Sequence, residues 1–137
     1  MASIKIKSLR QLKIITNALK RRNKKIVFTN GCFDILHRGH VDYLQKSKKK
    51  GDVLIVAINS DSSVKSIKGP KRPIVNERDR AEVLAALECV DYIVVFNEPT
   101  PLKLIQTLIP TILTKGADWS KEEIVGREVV IEHGGRV

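Results

Sequence analysis

The chain has 137 residues, 42% hydrophobic and 29% charged, with a formal net charge of +10. That length and balance give room for one folded domain spanning 1–137, and they exclude a disordered or low-complexity protein. The longest apolar run, Val53 to Ile58, falls far short of the ~18 residues a membrane helix needs, and no signal-peptide core opens the chain, so a cytoplasmic protein is expected.

Cys32 and Cys89 fit neither a CxxC metal pair nor a disulfide framework, so two reduced thiols are expected. Positive charge gathers in Lys20-Arg21-Arg22-Asn23-Lys24-Lys25 and Lys46-Ser47-Lys48-Lys49-Lys50, at the ends of two predicted helices. Cations there oppose the helix dipole and face water, which accounts for most of the excess. A field that draws a small phosphorylated substrate is a second reading. Nucleic-acid binding is not expected, because an aromatic share of 4% leaves few rings to stack on bases.

Ser8 followed by Leu9, Leu12, Ile15 and Leu19 predicts an amphipathic helix within residues 1–24, opened by a Ser8/Gln11 capping box and packed on the edge of the core. Ile26 to Thr29 reads as a strand buried on both faces, followed by a turn at Asn30-Gly31. A helix from Arg38 to Lys50 ends at Gly51-Asp52, and Val53 to Ile58 is a second strand. After Asn59-Ser60-Asp61 comes a short helical piece, then a loop forced by Gly69, Pro70 and Pro73. Asn76 caps a helix over Glu77 to Glu88 with Val83, Leu84 and Leu87 on one face, and Tyr92 to Phe96 is a third strand. Thr100-Pro101 opens a helix running to Ile109, Thr111 to Thr114 is a fourth strand, and a Ser120/Glu123 box starts a last helical region that Gly134-Gly135 ends. Strands alternating with helices, without hairpin signals, specify a parallel sheet covered on both faces. Its ligand site belongs outside the carboxyl ends of the strands, where Asn30 to Asp34, Asn59 to Asp61 and Lys115 to Asp118 converge.

The densest chemistry lies in Thr29-Asn30-Gly31-Cys32-Phe33-Asp34-Ile35-Leu36-His37-Arg38-Gly39-His40. A strand, a glycine turn and a helix N-terminus form an anion site, and His37 and His40 share one side of the first helical turn. Each imidazole can donate an N–H to a phosphoryl oxygen and stabilise charge developing there. Gly31 lets the backbone turn close to a ligand, and Gly39 removes a side chain from the phosphate's path. Two histidines without a third ligand at a recognised spacing make a zinc site a weak reading. Cys32 has no assignable partner for nucleophilic catalysis, which leaves packing or a backbone contact. Asp34 is either a turn residue or a contact to a substrate hydroxyl or a metal ion. Lys68, Lys71 and Arg72 are solvated loop charges singly and a phosphate clamp as a cluster. His133 beside Gly134 reads as a helix C-terminal cation.

The run from Gly31 to His40 resembles the G-x-F-D-x-x-H-x-G-H element of the cytidylyltransferase-like nucleotidyltransferases. Lys68 to Val75, Asp79-Arg80, Val90-Asp91 and Leu113 to Trp119 are similar to stretches of the adenylyltransferase half of ADP-heptose synthesis enzymes. The resemblance implies a Rossmann-like α/β fold of the HxGH nucleotidyltransferase type, moving AMP from ATP to a heptose 1-phosphate with release of pyrophosphate. Transfer from CTP to glycerol 3-phosphate is the close alternative. By resemblance, His37 and His40 hold the triphosphate and stabilise the pentavalent transition state. Gly31, Cys32, Phe33, Gly39, Lys68, Gly116 and Asp118 meet the nucleotide, and Asp34, Arg72 and Arg80 face the acceptor. Mg2+ accompanies the ATP, and relatives are often dimers. Such proteins also carry a further strand and a Ser-Thr-Thr helix N-terminus, for which nothing before Val137 substitutes, so slow or absent turnover and weaker nucleotide affinity are expected of this chain.

Overall fold

The computed structural model describes residues 4–116 and 124–137. Four strands, β1 (Ile26–Gly31), β2 (Val53–Asn59), β3 (Tyr92–Phe96) and β4 (Ile112–Leu113), form one sheet in the order β3-β2-β1-β4, with every pair parallel. The helices are α1 (Leu9–Arg21), α2 (Arg38–Lys48), α3 (Asp61–Lys68), α4 (Glu77–Ala85), α5 (Leu102–Leu108) and α6 (Arg127–Glu132). The order of the strands reverses at β1, between β2 on one side and β4 on the other, and this reversal opens a crevice at their carboxyl ends.

Alternation along the strands builds two cores. Ile26 and Phe28 of β1 and Ile55 and Ala57 of β2 pack with Leu12 of α1, with Leu104, Ile105 and Leu108 of α5, and with Val130 of α6. Val27 of β1 and Leu54, Val56 and Ile58 of β2 face the other way, onto Leu44 of α2 and Ala81, Leu84 and Ala85 of α4. Both faces are therefore covered, as the continuous apolar runs require. Outside the named strands, Ile6 bridges Ile93 along β3 and Arg136 bridges Ile112 along β4, so short pieces of chain lengthen both sheet edges.

Several expectations need correction. Asn30 and Gly31 are the last residues of β1, paired with Ala57 and Ile58, and not a turn. The backbone reverses two residues later, at Phe33, whose φ is 48°. Helix α4 stops at Ala85, and Val83 is 48% exposed, because the helix turns Arg80, Ala81, Leu84 and Ala85 inward instead. Helix α5 begins at Leu102 with Pro101 at the cap position and no side-chain cap from Thr100. β4 is only two residues long. The Ser120/Glu123 box lies outside the described residues, and the last helix, α6, opens at Gly126.

The first helix does more than lie on an edge. Lys13 Nζ donates to Thr107 O at 2.8 Å and Lys20 Nζ to Leu108 O at 2.7 Å, so two lysines of α1 cap the carbonyl end of α5. Burial, with the nearby Lys13 charge, lowers the Lys20 pKa. Lys48, expected at a solvated helix end, pairs with Asp91 at 2.6 Å. The Ser8/Gln11 box, the Asn76 cap and the His133 contact to the α6 carbonyl of Val129 are present as expected.

Candidate active site

His37 is the N-cap of α2, and the two histidines cap that helix by themselves. His37 Nδ1 accepts from Gly39 N at 3.0 Å, and His40 Nδ1 accepts from His37 N at 3.2 Å. A ring nitrogen that accepts a hydrogen bond carries no proton, so in this arrangement the ring hydrogen of either imidazole sits on Nε2. The rings lie side by side with centroids 4.0 Å apart, and Phe33 meets His40 edge-on at 5.4 Å. Burial and the neighbouring His37 charge lower the His40 pKa from its ordinary value, which keeps the ring neutral near pH 7. Two N–H groups at the helix N-terminus, those of His37 and Gly39, are thus taken up by the imidazoles, which present Nε2–H donors on their far side.

Both glycines make room for aromatic rings, and Gly31 also lines the cleft described below. A Cβ on Gly39 would stand 2.8 Å from His37 Cε1, and one on Gly31 would stand 2.9 Å from Phe33 Cε2. Phe33, only 9% exposed, is held in a left-handed conformation that costs a non-glycine residue ~1–3 kcal/mol. The carbonyl just before it, on Cys32, accepts from Arg80 Nη1 at 2.8 Å, which helps fix the reversal.

Arg80 does not face an acceptor. Its side chain is fully buried, and it donates to Val75 O, Cys32 O and Asn59 O while pairing with Asp61 at 2.8 Å. One guanidinium thereby ties the ends of β1 and β2 to the start of α4. Asp34 grips the loop before α4: its carboxylate accepts from Ile74 N and Val75 N and pairs with Arg72 at 3.2 Å. Burial raises its pKa, but the N–H groups of Val75 and Ile74 and the Arg72 charge outweigh that and hold the carboxyl below its usual value. Asp34 thus holds a distant loop and not its own turn, and it also lines the cleft described next.

An open cleft of ≈ 540 Å³ lies above this frame, lined by residues that include Asn30, Gly31, Cys32, Phe33, Asp34, His37, His40, Tyr43, Lys68, Arg72, Lys115 and Gly116. It adjoins a second cleft of ≈ 400 Å³, which shares Asn30, Gly31, Cys32, Lys68 and Lys115 and adds Asn59, Ile67, Thr100, Pro101, Ile124 and Val125. Of the residues expected at the site, all but Arg80 and Asp118 line the two clefts or, for Gly39, hold a ring that does. Asp118 lies outside the described residues. Lys71 lines neither cleft. Cys32 Sγ donates a hydrogen bond to Asn59 Oδ1 at 3.7 Å.

Tyr43 was not singled out from the sequence, whereas Asn59 opens one of the segments expected to converge on the site. Tyr43 follows His40 by three residues, the spacing that shares a helix face, and this was the available signal. A half-buried group of hydroxyls lies at the cleft floor: Tyr43 Oη is 2.6 Å from Thr29 Oγ1 and 3.2 Å from Thr114 Oγ1, and Ser47 Oγ is 3.0 Å from Thr114 Oγ1. Thr29 also donates to Thr114 O at 3.1 Å. Satisfying these groups matters, since a buried hydroxyl left unpaired costs about 1–3 kcal/mol.

The model of the family described as cytidylyltransferase-like matches residues 28–132. The chain is 59% identical over 133 residues to the bifunctional protein HldE of Geobacter metallireducens, covering 97% of this chain and 27% of that protein. It is 60% identical over 121 residues to the HldE of Helicobacter pylori, covering 88% and 26%. The chain therefore spans about a quarter of the length of these relatives. Among solved structures, the lipopolysaccharide core biosynthesis protein of Thermoplasma volcanium is similar with a TM-score of 0.69 and 32% identity, covering 83% of this chain and 92% of that one. On these matches, the chain belongs to the cytidylyltransferase-like family.

Proposed function

We propose that the chain is the nucleotidyltransferase part of an ADP-heptose-forming enzyme, moving an adenylyl group from ATP to a heptose 1-phosphate. The observation that carries this reading is the pair of imidazoles whose Nδ1 atoms are turned onto the α2 backbone, leaving two Nε2–H donors at a cleft that also holds Lys68, Arg72 and Lys115. The similarity to proteins named bifunctional, of which this chain matches about a quarter, supports assigning it one of their parts.

Phosphoryl transfer needs positioning and charge stabilisation more than covalent chemistry from the protein. An oxygen of the sugar phosphate attacks the α-phosphorus, the bond from that phosphorus to the bridging oxygen breaks, and pyrophosphate leaves. His37 and His40 donate to oxygens of the reacting phosphates, and the lysines and Arg72 offset the remaining charge. Neutral donors suit this task because they need not gain or lose a proton during the step.

Mg2+ is proposed to arrive with the triphosphate, held by phosphate oxygens and water. Among the described residues no group of three or more His, Cys, Asp or Glu side chains could hold a metal ion, and Asp34 already accepts from backbone N–H groups and Arg72.

The test is pyrophosphate release, screened over four nucleoside triphosphates against heptose 1-phosphate, glycerol 3-phosphate and other sugar phosphates. Release with ATP and heptose 1-phosphate is expected. Release only with CTP and glycerol 3-phosphate would replace the reading with CDP-glycerol formation, and nucleotide binding without product under every pairing would make the chain a binding module.

A further inference from the structure

We propose that Tyr43, acting with Thr29 and Thr114, is a positioning residue that sets the width of the cleft floor between the histidine pair on α2 and the Lys115–Gly116 wall after β4. This rests on the nucleotidyltransferase reading for its catalytic consequence, though not for its geometry.

The seam between β1 and β4 is where the positioning is needed. On its β2 side, β1 stays paired to its last residue, Gly31 with Ile58, but on its β4 side the pairing stops at Phe28 with Leu113. Thr114 N still donates to Phe28 O at 3.0 Å. Beyond that point the two strands part and the cleft begins, with Asn30 and Gly31 on one bank and Lys115 and Gly116 on the other. Backbone pairing no longer fixes the separation there, and side chains must.

The hydroxyl group stands at that point of parting. Thr29 follows the apolar run Ile26 to Phe28 of β1 and is completely buried, and it reaches both Tyr43 Oη and the Thr114 carbonyl. Thr114 in turn meets Tyr43 and the buried Ser47, so β4 is fastened to α2 at two places one helical turn apart. Tyr43 itself lines the cleft, one turn along α2 from His40. Its hydroxyl touches both Thr29 of β1 and Thr114, the residue after β4, from the helix that the histidine pair opens. Removing it frees α2, and with it the imidazoles, relative to the wall that opposes them. A misplacement of this kind affects transition-state contacts more than ground-state binding.

The test compares Tyr43→Phe, Thr114→Val and Thr114→Ser in the full chain. Two readouts are used: the single-turnover rate with the nucleotide KM, and NMR of the imidazole nitrogens and the Gly116 amide. Tyr43→Phe and Thr114→Val should each lower the single-turnover rate about tenfold to a hundredfold with nucleotide KM within about twofold. The double variant should be little worse than either single one, because both remove the same connection. Thr114→Ser, which keeps the hydroxyl, should restore the rate, and the His40 and Gly116 signals should shift in Tyr43→Phe but not in Thr114→Ser. Lowered melting temperature with unchanged rates and unchanged His40 and Gly116 signals would overturn the proposal. If the unaltered chain releases no pyrophosphate, the functional reading fails, and the NMR comparison alone decides the positioning role.

Discussion

His37 Nδ1 accepts the Gly39 N–H at 3.0 Å, so a helix cap decides which nitrogen of a site histidine carries the proton. His40 repeats the arrangement against the His37 N–H. Asparagine and glutamine separate the two jobs, since an asparagine amide reaches about as far as Nδ1 and a glutamine amide about as far as Nε2. His37→Asn should keep the helix cap and lose the donor, with single-turnover rate down about 10²–10³-fold and stability nearly unchanged. His37→Gln should keep more of the rate and lose about 1 kcal/mol of stability. Single-turnover kinetics and urea unfolding of the two variants check this, and equal rates in both would show that Nε2 has no special role.

The lowered His40 pKa has a direction in pH. The folded protein holds this ring neutral at a pH where the unfolded chain would protonate it, near its ordinary value of 6.5. The contribution is therefore complete above that value and is lost as pH falls below it, when the unfolded state binds the extra proton. Unfolding midpoints should decline from pH 7.5 to 5.5 more steeply in the unaltered chain than in His40→Gln. Parallel curves would contradict the assigned environment.

Arg80 was expected to meet an acceptor and is instead a buried tie between three carbonyls and Asp61. Arg80→Met should cost about 3–5 kcal/mol, because it strands Asp61 and leaves the carbonyls without their donor. Thermal or urea unfolding measures this. A stable variant with only a raised acceptor KM would restore the acceptor-facing role.

Gly39→Ala tests the glycine's reason for being there. The added methyl would meet His37 Cε1 at 2.8 Å and force the ring to shift, while helix propensity favours alanine. Turnover should fall at least about tenfold without loss of stability. Retained turnover would mean that the imidazole tolerates displacement.

Much of the frame was legible because it is written locally. The apolar runs Ile26 to Phe28 and Val53 to Ile58, separated by helical spacing, specify a parallel sheet, and Ser8 with Gln11 and Asn76 mark helix starts by their own side-chain chemistry. The histidine pair was visible as a motif, but its orientation was not, because it depends on which ring nitrogen meets the backbone. Asp34 finds its partners at Arg72, Ile74 and Val75, some forty residues away, and no local pattern announces that. Arg80 sits in the charged opening Glu77-Arg78-Asp79-Arg80 of the helix that Asn76 caps, and the carbonyls left at the ends of β1 and β2, far off in sequence, explain its burial. The turn at Phe33 escaped notice because Gly31 supplied a more obvious candidate for the reversal.

The most direct test of the account is long-range 1H–15N NMR of His37 and His40 at pH 7.5, with and without a non-hydrolysable ATP analogue. Both rings should show an unprotonated Nδ1 and a protonated Nε2, and the analogue should shift the Nε2–H signals while leaving the Nδ1 signals in place. Rings protonated on Nδ1, or Nε2 signals indifferent to a nucleotide that binds, would contradict the claim that these imidazoles form the phosphate grip.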